Sequence, residues 1–252
     1  MDNRIRKYIE SIAGLSLDLF PDEGVSIYVS DARTDKPKNR LLVQRVTENN
    51  GVLITGIPRI VKVLKGNLGS MTSWEIFSPF GLQMIKRILP SSDAMDIDGN
   101  FSFDYFLTEH ANFHPVNSQY EITVLKKKDV PSGDYQLRMG ERRSAETGDF
   151  TWAFACYHND PDVRPVRLTE YGSRCASVAA VFWKGEELAG LGLATEEALQ
   201  GQGYALAVVS AATRWILNQK AVAWYGAYSD NVPSLRIARQ LGFLLLHSSF
   251  SA

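Results

Sequence analysis

Gln200-Gly201-Gln202-Gly203-Tyr204-Ala205 is the stretch of this chain whose residue types and spacing can do chemistry. It lies between the apolar run Leu188 to Ala194 and the amphipathic run Ala205 to Leu217, so it reads as a strand, a glycine-bearing turn and a helix N-terminus. Glycine lets main chain approach an anion without a Cβ in the way. The unpaired N–H groups of a helix's first turn face outward with the positive end of the dipole behind them. A diphosphate is the natural guest.

Two nucleotide patterns compete for these residues. The dinucleotide fingerprint Gly-x-Gly-x-x-Gly uses Gly201 and Gly203, but its third position is Leu206, and too little chain follows to complete a doubly wound sheet. The pattern Gln/Arg-x-x-Gly-x-Gly/Ala is met by Gln200, Gly203 and Ala205. A second block follows at Asn231-Val232-Pro233-Ser234 and ends in Leu241-Gly242-Phe243. Together the two blocks resemble the GNAT superfamily of acyl-CoA-dependent N-acetyltransferases, over roughly residues 174–252.

The resemblance implies a particular use of these residues. The strand at Glu187 to Thr195 splays from the next one, Ala221 to Ser229, and pantetheine lies in the gap like an added strand. Main chain at Leu193, Ala194 and Thr195 contacts it, the turn Gln200, Gly201, Gln202, Gly203, Tyr204 and Ala205 cradles the pyrophosphate, and Asn231 with Ser234 faces the thioester end or the pantetheine arm. The implied reaction moves an acetyl group from acetyl-CoA to an amine. A base or water chain takes the amine's proton, a donor helps the thiolate leave, and a backbone N–H of the splayed strand steadies the oxyanion.

The chain departs from the family at both acid–base positions. Where many relatives carry a carboxylate there is Gly190 or Ala189, and where they carry a tyrosine there is Ala238. Positioning alone supplies a large part of such an acceleration when the amine is partly neutral. Glu187, the nearest acidic residue upstream, is the catalytic candidate, with a solvated strand-end glutamate as the other reading. Tyr225 or Tyr228 faces the cleft by alternation, Arg174 or Ser177 can stand at the acceptor side, and Trp152, Phe154, Tyr157 and Trp183 form core or cleft wall. An N-acetyltransferase of a small molecule or peptide is expected. A catalytically degenerate acyl-CoA-binding regulatory or interaction module is the alternative.

The elements that must position these residues are legible from periodicity. Ala205, Val208, Val209, Ala212 and Ile216 form a helical stripe over 203–218 that buries one face against a sheet. Asp230 and Asn231 before Pro233 start a second helix. The fold class expected is α+β: a GNAT-like mixed, mostly antiparallel sheet flanked by helices, with an N-terminal α+β module. In that module Ile5, Ile9 and Ile12 indicate a helix. Strands follow at 25–30, 40–46 and 52–55, helices at 58–64 and 79–89, and strands at 101–107 and 120–125, with Asn49-Asn50-Gly51 as a hairpin turn. Lys126-Lys127-Lys128-Asp129-Val130-Pro131-Ser132-Gly133 combines a charge run with proline and glycine, which places a boundary between a module at 1–130, of unknown role, and a GNAT-like domain at 131–252.

Composition excludes several classes. The 252 residues, 45% hydrophobic, can bury a large core, and 27 basic against 28 acidic residues argue against a nucleic-acid surface. No apolar run is long enough to span a bilayer, and Met1-Asp2-Asn3-Arg4 is no signal peptide, so a cytoplasmic location with no membrane partner is expected. Cys156 and Cys175 are not in a Cys-x-x-Cys pair and read as reduced packing residues. His110 and His114 fall in a loop, and no metal is expected.

Overall fold

The computed structural model describes residues 1–33, 40–68, 70–94, 100–117, 119–126, 152–158 and 174–251. They divide into two compact units, one of residues 1–105, 227–232 and 245–252, the other of residues 106–226 and 233–244. Neither unit is one continuous stretch of chain. The expected boundary near residue 130 lies outside the described residues.

The first unit opens with α1 (Asn3–Ala13), whose N-cap Asp2 accepts the Arg4 N–H at 2.8 Å. Its strands are β1 (Val25–Val29), β2 (Leu41–Val46) and β3 (Val52–Gly56). Four helices follow: α2 (Pro58–Asn67), α3 (Ser73–Ile76), α4 (Pro79–Ile88) and α5 (Ser91–Ala94). β4 (Ser102–Leu107) comes next, and β10 (Leu244–Ser251) returns from the chain's far end. The strand order is β1-β3-β2-β10-β4. β1 runs parallel to β3, whereas β2 is antiparallel to both β3 and β10. One face carries the core, where Leu41, Val43, Val52, Ile54 and Phe250 meet Ile60 and Leu64 of α2 and Leu82 and Ile85 of α4, all buried. On the opposite face of β10, fully buried His247 lies 2.6 Å from Asp104 Oδ2 on β4 and 3.1 Å from Gln44 Oε1 on β2, which ties three neighbouring strands.

The second unit is built from β5 (Ile122–Lys126), β6 (Trp152–His158), β7 (Arg174–Lys184), β8 (Leu188–Thr195) and β9 (Val222–Tyr228), in the order β9-β8-β7-β6-β5. Pairing from β5 to β8 is antiparallel, and β8 with β9 is parallel. α6 (Tyr204–Asn218) packs on β6, β7 and β8, burying Val208, Val209, Ala212 and Ile216 of the expected stripe. Its Trp215 gathers Trp152, Phe154 and Trp183 at ring-centroid distances of 5.4, 6.1 and 6.2 Å, so those aromatics are packing residues. α7 (Val232–Gln240) carries Pro233 in its first turn and buries Leu235 and Ala238. The architecture is the expected mixed, mostly antiparallel sheet with flanking helices.

Candidate functional site

A fork between β8 and β9 positions the site. The two strands pair only at Leu188↔Val222, Ala189↔Ala223 and Gly190↔Trp224, after which β8 continues to Thr195 with pairing recorded on its β7 side alone. Leu193, Ala194 and Thr195 are half-buried along this continuation. At the last rung an added Cβ on Gly190 would stand 2.6 Å from Cε3 of Trp224, so only glycine leaves room for that ring. The space that a side chain at Gly190 would take is thus filled by an indole.

Past Thr195, a single 3-10 turn at Glu197–Leu199 delivers the chain to the glycine turn. Gln200, Gly201, Gln202 and Gly203 are exposed. Gly201 has φ 78° and Gly203 φ 91°, a region that costs other residues free energy, whereas an added Cβ at Gly201 would meet open space. Backbone conformation, not crowding, therefore selects these two glycines. Gly203 caps α6 with no side chain to accept its first N–H groups, so the positive end of the longest described helix is left without a side-chain cap.

Tyr120 braces this turn. Its hydroxyl donates to the Gln202 carbonyl at 2.6 Å, and its ring stacks on Tyr204 with centroids 4.2 Å apart. Burial pushes the Tyr204 phenol above its usual pKa, with Tyr120 and Cys156 adding to the shift. Sequence reasoning did not single out Tyr120, because nothing local marks a tyrosine before β5 as the partner of a turn that follows β8. Trp224 was missed for the same reason: its opposition to Gly190 is a matter of strand register.

The other candidates are placed as follows. Glu187 lies in the exposed turn before β8, where its carbonyl accepts the Val222 N–H at 2.9 Å. It therefore stands beyond the paired end of the ladder, roughly 10 Å along the strand from Gly190 at about 3.3 Å per residue. Ser177 is buried on β7, donates to the Ala194 carbonyl at 3.1 Å and lies 2.8 Å from the Thr195 hydroxyl, so it braces the end of β8. Tyr225 is buried against Phe243, and Tyr228 is exposed. Ser234 is half-buried in the first turn of α7. Asn231 belongs to the first unit, exposed in the turn before that helix, with its N–H on the Tyr228 carbonyl at 3.0 Å. His110 begins a short 3-10 turn, and among the described residues no three His, Cys, Asp or Glu side chains converge on a metal position. No described helix is long and apolar enough to cross a membrane.

Residues 134–243 match the model of the Acetyltransferase (GNAT) family. This part of the chain is a GNAT domain. The match contains the fork, the glycine turn, α6 and α7. Solved structures similar to the chain include a GNAT-family protein from Novosphingobium aromaticivorans (15% identity, TM-score 0.43, covering 60% of this chain and 63% of that one). A GNAT-family acetyltransferase from Colwellia psychrerythraea is similar at 16% identity and TM-score 0.40, over 60% of this chain and 55% of that one. A GCN5-related N-acetyltransferase-like protein from Streptococcus suis is similar at 13% identity and TM-score 0.46, over 89% and 87%. The chain thus spans less than two thirds of the first two neighbours' length. Comparison with curated proteins finds no match.

Proposed function

We propose that this chain is an N-acetyltransferase that moves an acetyl group from acetyl-CoA to a primary amine of a small molecule or peptide. The observation that carries the proposal is the fork, which leaves main chain from Leu191 to Thr195 beside a gap and runs directly into a glycine turn with an uncapped helix behind it. The residues present fit an acyl-CoA. A pantetheine arm, with its amide N–H and C=O groups, can pair with Leu193, Ala194 and Thr195 as an added strand would. A pyrophosphate suits Gln200 to Ala205, where the exposed turn and the first N–H groups of α6 supply donors and positive potential. Ser234 is assigned to the pantetheine arm on the family resemblance.

Acetyl-CoA supplies the activated carbonyl. The amine nitrogen bonds to that carbon, the C–S bond breaks, the thiolate takes a proton and the amine gives one up. The chain's own residues hold the donor straight, present main-chain N–H of β8 to the developing oxyanion, and keep the amine in line. With Gly190 under Trp224 and Ala238 buried, proton removal falls to water and, through water, to Glu187. The same two positions favour a second reading, a GNAT domain that binds acyl-CoA as a signal without turning it over.

Acetyl-CoA binding by calorimetry, followed by an amine panel read out as free CoA thiol and acetylated product mass, tests both readings. Acetyl transfer to any amine in the panel establishes the first. Tight binding with no transfer favours the second, and an absence of acetyl-CoA binding sinks both.

A further inference from the structure

The core-facing row of the first unit's sheet ends on a charge. Leu41, Val43 and Arg45 alternate onto one face of β2, and the facing positions on β10 are Phe250, opposite Val43, and Ser248, opposite Arg45. Leu41, Val43 and Phe250 are core, so the period calls for an apolar pair at the next position. Arg45 and Ser248 instead line a cavity of about 360 Å³ walled by Phe77, Phe101 and Phe103. Phe77 and Phe101 lie with ring centroids 5.1 Å apart.

Arg45 is held but not neutralised. Its guanidinium carbon lies 4.0 Å from the centroid of the Trp74 ring, and among the described residues no carboxylate forms an ion pair with it. In the same unit Arg4, Arg6, Arg40 and Arg59 each meet an aspartate or glutamate. Pro79, also on the cavity wall, is the first residue of α4, whose end is already capped by Ser78. A half-buried cation in an aromatic hollow, with no anion of its own, asks for one from outside.

We infer that this cavity is a binding site, separate from the acyl-CoA fork, for a small monocarboxylate with an aromatic or branched apolar body. One planar guanidinium matches one carboxylate in bidentate geometry. A phosphate dianion would bring a second charge that nothing on the wall offsets. The volume is near the lower end of the roughly 300–1,000 Å³ range of ligand pockets, which suits a single ring with a short chain.

The test uses the full chain and 3-phenylpropionate as probe, with neutral 3-phenylpropanamide as its isostere, both by calorimetry. The carboxylate is expected to bind wild-type protein at least about tenfold tighter than the amide. That preference should vanish in Arg45→Gln and shrink in Arg45→Lys, which keeps the charge but loses the fork. Equal affinity of acid and amide for wild-type protein, or no binding of the acid at millimolar concentration, overturns the inference even if the variants fail to fold. So does a folded Arg45→Gln variant that keeps the preference. Acetyl-CoA affinity measured on the same samples reports on the fork alone, so loss of one property leaves the other readable.

Discussion

Two parallel strand pairs among the described residues are finished differently. β1 and β3 pair along the whole of β1, from Val25↔Val52 to Val29↔Gly56. β8 and β9 are both longer, yet they pair at three positions and then part. Helix ends repeat the contrast. In the first unit Asp2, Thr72 and Ser78 cap α1, α3 and α4 with their own side chains, Thr72 with Glu75 closes a full capping box, and α2, which has no side-chain cap, starts on Pro58, whose missing N–H needs none. In the second, α6 begins at a bare glycine. Buried main-chain polar groups are satisfied somewhere, by chain, water or ligand. A strand edge and a helix end left open side by side in sequence are what the proposed reading assigns to one extended, anionic molecule.

The sharpest way to break this comparison is to close the open helix end. Gly203→Glu places bulk and negative charge where the anion is proposed to sit, in a backbone conformation with φ 91°. Acetyl-CoA affinity is expected to fall well over tenfold, about 1.4 kcal/mol or more. A thermal melt on the same sample separates that loss from strain at φ > 0, which costs about 1–3 kcal/mol. A folded variant with wild-type affinity would remove the turn from the site.

The fork itself is probed at its last rung. With Trp224 Cε3 only 2.6 Å from where a Cβ would stand, Gly190→Ala overpacks the junction. We expect it to destabilise the protein by about 1–3 kcal/mol, lowering Tm by roughly 2–4 °C per kcal/mol. Trp224→Leu in the same background should recover much of that loss, since the two positions share one contact. Additive effects in the double variant would show that the indole does not fill the Gly190 position. Tyr120→Phe is gentler. It deletes the 2.6 Å hydrogen bond to Gln202 while keeping the stack on Tyr204, and a typical neutral hydrogen bond contributes about 1 kcal/mol. Acetyl-CoA affinity should drop about fivefold, and an unchanged value would mean that the brace plays no part in shaping the turn.

These tests concern features of unequal legibility. The glycine turn, the stripe of α6 and the start signal of α7 were readable because each is local: positive φ wants glycine, a buried face repeats every three to four residues, and proline suits a first turn. The helices at Pro58 and Pro79 and the strands β1 to β5 were readable within a residue or a few on the same grounds. β10 was not anticipated. Leu244 to Ser251 includes His247, Ser248 and Ser249, a run too polar to announce a buried strand, and His247 is accommodated by Gln44 on β2 and Asp104 on β4, which lie far off in sequence. β6 was not anticipated as a strand, although its Trp152 and Phe154 read as core or cleft wall and Trp215 packs against both. Tyr120 and Trp224 belong to the same class, since a brace across the chain and a ring over a glycine exist only once register is set.

Glu187 carries the smallest expected effect, and its size is what discriminates. A general base in direct contact with its proton contributes about 10²–10⁴ in rate. Glu187 stands in the exposed turn before the paired rungs, roughly 10 Å by strand rise from Gly190, so it reaches an amine at the fork only through ordered water. On that footing Glu187→Gln should lower kcat by no more than about threefold, with acetyl-CoA affinity unchanged. The deficit should fade as pH rises through the pKa of the acceptor amine, because an amine that is already neutral has no proton to give up before attack. Turnover itself should rise over the same range. A loss of about 10² at every pH would make Glu187 a direct base and would move the reacting centre toward the closed end of the β8–β9 ladder. Wild-type turnover at low and high pH alike would leave proton removal to solvent, with the fork and the glycine turn acting by position alone.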